Sequence, residues 1–286
     1  MEMVYSVIVP MLLRVGFPLL LLLSIHVDHG MSSNDYINSR CNVTAHYTCG
    51  SKMPRVFNIL TKDAPPSGFA NITKGKGSER VYGLAQCRGD VDQEDCKACI
   101  HNSTEAVVGT YSPSAIDAII WYENCQLCYS NTNFFARLNV EDSGSWYWTA
   151  DKVEEPKAFN QNLGSLMKNL ISQVTTEPNS KFLFATGNIP STNQKTIYGL
   201  VQCTRGTSLA DCSQCLISTI SQIPSTCDNA HGCEIAIGSC RVRFDTQIFY
   251  NSTTTPSPPA PPSNSSLSPS PLLNSSPPSN PSPPSS

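Results

Sequence analysis

A chain of 286 residues with 13 cysteines and only 14% charged residues has the length of about two domains, and its thiol content points to an oxidising compartment where half-cystines replace part of a core. The formal net charge of -3, with Lys and Arg dispersed along the chain, leaves no basic footprint and excludes nucleic acid as a partner.

Taken in order, residues 1–32 read as a secretory signal peptide. Val15 to Ile25 is apolar, includes the run Leu19 to Leu23, and follows Arg14, while Gly30-Met31-Ser32 offers a small-x-small cleavage site. The run is too short to span a bilayer. A first unit is expected over 33–131. Arg55 to Thr61, next to Pro54, predicts at most a weak helix, because its apolar residues sustain no helical face. Arg80 to Cys87 predicts a strand. Asp92 to Val108 predicts a helix with Asp92, Glu94 and Asp95 in the opening turn, where the macrodipole favours carboxylates. Ala115 to Tyr122 and the stretch from Cys125 predict two further strands.

Residues 132–145 read as a linker and 146–250 as a second unit. Phe159, Leu163, Leu166, Met167, Leu170, Ile171 and Val174 recur at steps of three and four, so Glu155 to Thr175 predicts a helix with a core-facing stripe. Lys181 to Thr186 and Thr196 to Cys203 predict strands, Ser208 to Ser221 a helix, and Glu234 to Gly238 and Arg241 to Tyr250 strands. This order gives an α+β class, helices against an antiparallel sheet. From 251 to 286 the chain holds 12 of its 22 prolines and no charged residue, cysteine or aromatic. Such a Ser/Pro-rich tract cannot form a core and reads as a disordered stalk. No membrane anchor is expected within this tract.

The two units share a cysteine pattern. Cys87, Cys96 and Cys99 are spaced as Cys203, Cys212 and Cys215, and Val81-Tyr-Gly-Leu-Ala-Gln and Ile197-Tyr-Gly-Leu-Val-Gln precede them, an offset of 203 − 87 = 116 residues. Two thiols three apart at a helix start could serve zinc, thiol exchange or two separate disulfides. Zinc needs two such pairs converging, and redox chemistry needs a thioredoxin-like context, so structural disulfides are expected, although spacing alone does not choose their pairing.

With these arrays, and with Trp121-Tyr-Glu-Asn-Cys125, Phe159-Asn-Gln-Asn-Leu163, Phe184-Ala-Thr-Gly187 and Ser239-Cys240-Arg-Val-Arg243, the chain resembles the plant ginkbilobin-homologous, or stress-antifungal, domain in tandem. That domain occurs in cysteine-rich repeat secretory proteins and in cysteine-rich receptor-like kinase ectodomains. The resemblance implies two disulfide-rich units, each with two helices packed on an antiparallel sheet, and the pairings Cys87 with Cys96, Cys99 with Cys125, Cys203 with Cys212, and Cys215 with Cys240. The first unit is atypical. The family partner of Cys49 falls at Ser112, and the family arginine three residues after Cys125 is Cys128. Cys41, Cys49 and Cys128 are therefore left over, and Cys227, Cys233, Cys49 and Cys128 are candidates for additional disulfides. A mannose-binding relative uses an Asn, an Arg and a Glu whose positions read Gly50, Ile119 and Ser130 in the first unit, and Glu234 and Asp245 in the second, so that site does not carry over.

Six sequons, Asn42, Asn71, Asn102, Asn251, Asn264 and Asn274, are expected glycosylation sites. His26, His29, His46, His101 and His231 are scattered, and no nucleophile-base order, phosphate loop or paired acid motif stands out, so no catalytic residue, metal ligand or cofactor is expected. Trp146-Tyr-Trp148 suits an interface between the units better than a sugar platform. The expectation is a secreted, non-enzymatic binding or sensing module of the plant apoplast, acting in stress or defence on an extracellular protein or glycan, with disulfide-linked or homotypic association open. The alternatives are a truncated ectodomain of a receptor-like serine/threonine kinase, which would sit at the plasma membrane, and a carbohydrate-binding antifungal lectin.

Overall fold

The computed structural model describes residues 35–43, 53–110, 115–147, 152–191 and 195–252. The expected signal peptide, Cys49, Gly50, His46 and nearly all of the Ser/Pro-rich stretch lie outside them. The fold is α+β, two five-stranded antiparallel sheets each carrying helices on one face.

In the first half the elements run β1 (Tyr36–Val43), α1 (Met53–Asp63), β2 (Phe69–Lys74), β3 (Val81–Cys87), α2 (Gln93–Thr110), β4 (Ala115–Tyr122) and β5 (Cys125–Ser130), with sheet order β1-β4-β5-β3-β2. The second half repeats the plan with β6 (Ser143–Tyr147), α3 (Pro156–Val174), β7 (Phe184–Pro190), β8 (Thr196–Cys203), α4 (Leu209–Ser221), the short α5 (Ile223–Thr226), β9 (Cys233–Ile237) and β10 (Cys240–Asp245), in the order β6-β9-β10-β8-β7. The period of two in a strand sends alternate side chains to opposite faces. Val81, Ala85, Cys87, Cys125, Leu127 and Tyr129 therefore join Val56, Phe57 and Leu60 of α1 and Cys96, Cys99 and Ile100 of α2 in one buried cluster. Leu163, Leu166, Met167 and Leu170 of α3 form the matching cluster with Ile197, Val201, Ile235 and Val242.

Several elements differ from the sequence expectation. The weak helix is instead 11 residues long and buries Met53, Val56, Phe57 and Leu60, a true three-four stripe. Pro54 lies in its first turn, where the missing N–H costs no intrahelical bond. The repeated glycine before the cysteine array explains how the helices seat. A Cβ on Gly83 would lie 2.5 Å from Val56 Cγ1, and one on Gly199 would lie 2.9 Å from Leu166 Cδ2, so only glycine lets each first helix lie this close to its sheet. The edge strands β1, β2 and β6 carry mixed sequences with no clean alternation, and no strand was expected there. β6 starts at Ser143, inside the stretch read as linker. β10 stops at Asp245, not Tyr250, because residues 246–252 turn across the outer face of the second sheet.

Candidate functional site

The cysteines come first, because they fix the corners from which the site is built. Cys87 is bonded to Cys96 and Cys203 to Cys212, each pair closing the turn from a strand into a helix. Cys99 of α2 is bonded to Cys125 of β5, and Cys215 of α4 to Cys240 of β10. Cys227 is bonded to Cys233 across six residues. Cys128, a candidate for a disulfide on sequence grounds, carries none. It stands three residues after Cys125 and so on the opposite face of the sheet, whereas Cys41, the other free thiol among the described residues, packs toward the helices. Burial pushes the Cys128 thiol up to about 12 and the Cys41 thiol up to about 11, with Asp142 and Asp117 respectively adding to the effect.

The outer faces of the two sheets meet in a seam with approximate two-fold pairing. Gln86 Nε2 donates to Cys203 O at 2.9 Å, and its counterpart Gln202 Nε2 donates to Cys87 O at 3.0 Å. The glutamine ending both Tyr-Gly-Leu motifs therefore bonds to the partner unit, the one functional signal in that motif that sequence reasoning passed over. Trp121, fully buried, packs with Ile37 and Ala236 beside this pair.

One side of the seam holds six buried charges: Arg88, Asp90, Glu123, Glu234, Arg241 and Arg243. Arg88 grips Asp90 with Nε–Oδ1 at 2.6 Å and Nη2–Oδ2 at 2.9 Å. Arg241 pairs with Glu234 and also donates to Glu123 O at 2.8 Å, while Arg243 pairs with the Glu123 carboxylate. The Phe249 ring lies 4.1 Å from the Arg243 guanidinium, and Asn251 N donates to Asp90 Oδ2 at 3.0 Å. Three cations against three anions satisfy the condition for keeping charges in a buried site. Burial works against the Arg88 guanidinium, but Asp90, Glu234 and Glu123 hold it above its ordinary value.

The other side of the seam is hollow. The strand registers make Cys128 the counterpart of Arg243 and Ile119 of Glu234, and spacing from the equivalent cysteines makes Thr204 the counterpart of Arg88, Gly206 of Asp90 and Gly238 of Glu123. All five line a groove of about 560 Å3 between the outer face of the first sheet and the segment 131–142 that crosses it. Leu84, Ile119, Phe134, Phe135 and Leu138 give apolar walls, and Asn71, Ser130, Thr132, Asn133 and Arg205 give polar ones. Arg205 lies over Phe69 and Phe182 at 5.8 and 5.4 Å and donates to Ser67 O.

Among the residues singled out from sequence, the structure brings Asn71, Cys128, Ile119 and Ser130 to this groove, and keeps Glu234 in the charge cluster. Asn102 is exposed on α2 and Asn251 is exposed beyond β10. Asn42 lies in β1; Asn264, Asn274 and Trp148 fall outside the described residues. His101 approaches Glu105 at 3.3 Å on the α2 surface. Among the described residues no cluster of His, Cys, Asp or Glu could hold a metal ion, and no helix is long and apolar enough to cross a membrane.

Repeated disulfide corners on two helix-backed antiparallel sheets define a tandem cysteine-rich ectodomain fold, and comparison with known proteins agrees. The chain belongs to the salt stress response/antifungal family, whose model matches residues 34–132 and 148–247. It is 35% identical over 235 residues to an antimicrobial ginkbilobin-2-like protein of Castanea crenata, covering 81% of this chain and 95% of that one. It is 33% identical over 245 residues to cysteine-rich repeat secretory protein 38 of Arabidopsis thaliana, covering 82% and 96%. With cysteine-rich receptor-like protein kinase 26 of the same plant it shares 33% identity over 82% of this chain and 36% of the kinase. The tandem DUF26 ectodomain of the Arabidopsis cysteine-rich receptor-like protein PDLP8 superposes with a TM-score of 0.61 at 20% identity, covering 74% of this chain and 98% of that one. The family is one of secreted and extracellular proteins, and the extracellular setting extends to this chain.

Proposed function

We propose that the protein is a non-enzymatic extracellular binding or sensing module in plant stress or defence, with the groove under residues 131–142 as its binding site. One observation carries this reading: a groove of about 560 Å3 with apolar walls and convergent polar groups falls within the size and lining of small-molecule sites. Catalysis has little to draw on, since the buried acids face arginines and the thiol in the groove is held protonated.

The test is native mass spectrometry of the secreted chain incubated with the small-molecule fraction of apoplastic fluid and, separately, with mannan oligosaccharides. An adduct that is lost in Ser130→Trp, a variant that fills the groove, supports the reading. Absence of any adduct, or one equally strong in the variant, refutes it. A mannan adduct would favour the lectin alternative, although Ile119 and Ser130 stand where the mannose-binding relative has Arg and Glu.

The match to about a third of a receptor-like kinase favours a second reading, a receptor ectodomain. A transcript continuing in frame beyond Ser286 into an apolar stretch of about 20 residues and kinase signatures would establish it.

A further inference from the structure

We propose that Asn71 carries an N-linked glycan whose first sugars fold back into the groove, giving the site a covalently tethered saccharide occupant that any outside ligand must displace. The proposal deepens the reading above by adding regulation to the same groove. It starts from Asn71-Ile72-Thr73, a complete sequon on the edge strand β2. Asn71 is exposed and stands opposite Leu84 in the strand register, and both line the groove. Residues opposite one another in an antiparallel pair share a face, so the amide leaves the rim on the side where the groove opens.

The walls suit a pyranose. Phe134 and Phe135 form an edge-on pair at 5.0 Å, and Phe135 meets Tyr82 at 5.6 Å, presenting aromatic surface to the C–H face of a sugar. Thr132 and Asn133 on the same segment supply donors and acceptors for hydroxyl and acetamido groups. The second half shows the same arrangement closed by protein side chains. Its equivalent of Asn71, by register with Leu200, is Thr186, and there Phe249 and Tyr250, in the places of Phe134 and Phe135, seat directly: Arg243 lies under Phe249, and Tyr250 Oη donates to Gly187 O at 3.1 Å. Over the first sheet Arg243 is replaced by the shorter Cys128, Thr204, Gly206 and Gly238 of the second half border the space instead of Arg88, Asp90 and Glu123, and the volume stays open beside a sequon.

Attachment joins Asn71 Nδ2 to the anomeric carbon of a lipid-linked oligosaccharide. The bond from that carbon to the lipid diphosphate breaks, the diphosphate leaves with the electron pair, the amide gives up one proton, and nothing is oxidised or reduced.

The full chain secreted from plant cells is the material for the test. Glycopeptide mass spectrometry reads occupancy at Asn71, and hydrogen exchange reads the amides of residues 131–142 in wild type, Asn71→Gln, Thr73→Ala and Asn102→Gln. Asn71 and Thr73 are both exposed, so neither change removes a core contact. The expected result is an occupied Asn71, with exchange at 131–142 several-fold faster in Asn71→Gln and Thr73→Ala and unchanged in Asn102→Gln. An unmodified Asn71 overturns the proposal. So does an occupied Asn71 whose removal leaves exchange at 131–142 as it was. Neither readout uses an outside ligand, so failure here is distinct from failure of the adduct experiment.

Discussion

Cys128 occupies the position that Arg243 holds in the second half, and the exchange of a paired cation for a buried thiol sets its reactivity. With the thiol pushed up to about 12, the thiolate fraction at pH 8 is about one in 10,000. Iodoacetamide at pH 8 should therefore leave Cys128 unmodified in the folded protein and alkylate it fully in denaturant, as peptide mapping would read. A pH dependence of stability follows. The unfolded thiol titrates near about 8.5; above that pH the unfolded chain releases a proton that the folded one keeps, so stability falls as pH rises from there toward about 12. Wild type should lose more melting temperature between pH 7.5 and 9.5 than Cys128→Ala does. Glu123 lies between Arg243, which its carboxylate pairs with, and Arg241, which donates to its carbonyl. Glu123→Ala strands buried arginine charge and should cost roughly 3–5 kcal/mol in denaturant unfolding.

At the scale of elements, the disulfides differ by the length of chain they close. Cys215–Cys240 spans 25 residues and ties α4 to β10, whereas Cys227–Cys233 spans six. On the chain-entropy view the first restricts the unfolded chain by roughly 3.5 kcal/mol and the second by about 2. Cys215→Ser should therefore lower the melting temperature more than Cys233→Ser, and equal losses would show that these links do not act through loop closure. The elements readable from sequence are those whose pattern is set locally: α3 by its three-four stripe, β3 and β8 by apolar runs ahead of a cysteine, α4 by Ser208, whose Oγ accepts from Asp211 N. The strands β1, β2 and β6 were not readable, because their mixed sequences carry neither an apolar run nor a clean alternation and the neighbouring strand sets their conformation. The groove was hidden for a related reason. Cys128, Thr204 and Gly238 lie far apart in the chain and say nothing about one another until the sheets are placed back to back. The lone signal was the loss of the family arginine at Cys128.

For the whole molecule, the reciprocal bonds of Gln86 and Gln202 across the seam predict that the two halves melt together. Calorimetry of wild type should show one transition, and Gln86→Ala combined with Gln202→Ala should split it into two or lower its cooperativity. The buried charges also divide unequally between the halves: Arg88, Asp90 and Glu123 leave the first with a surplus negative charge, and Glu234, Arg241 and Arg243 leave the second with a surplus positive one. Two first halves brought together would set the buried Glu123 against Cys128 where Arg243 now stands, and two second halves would bring four arginines to two glutamates. The duplicated unit has thus acquired a polarity like that of plug and socket, which disfavours like-with-like pairing and makes each half the correct mate for the other. The chain's own second half is therefore a better occupant of the place facing its first half than the first half of a neighbouring chain.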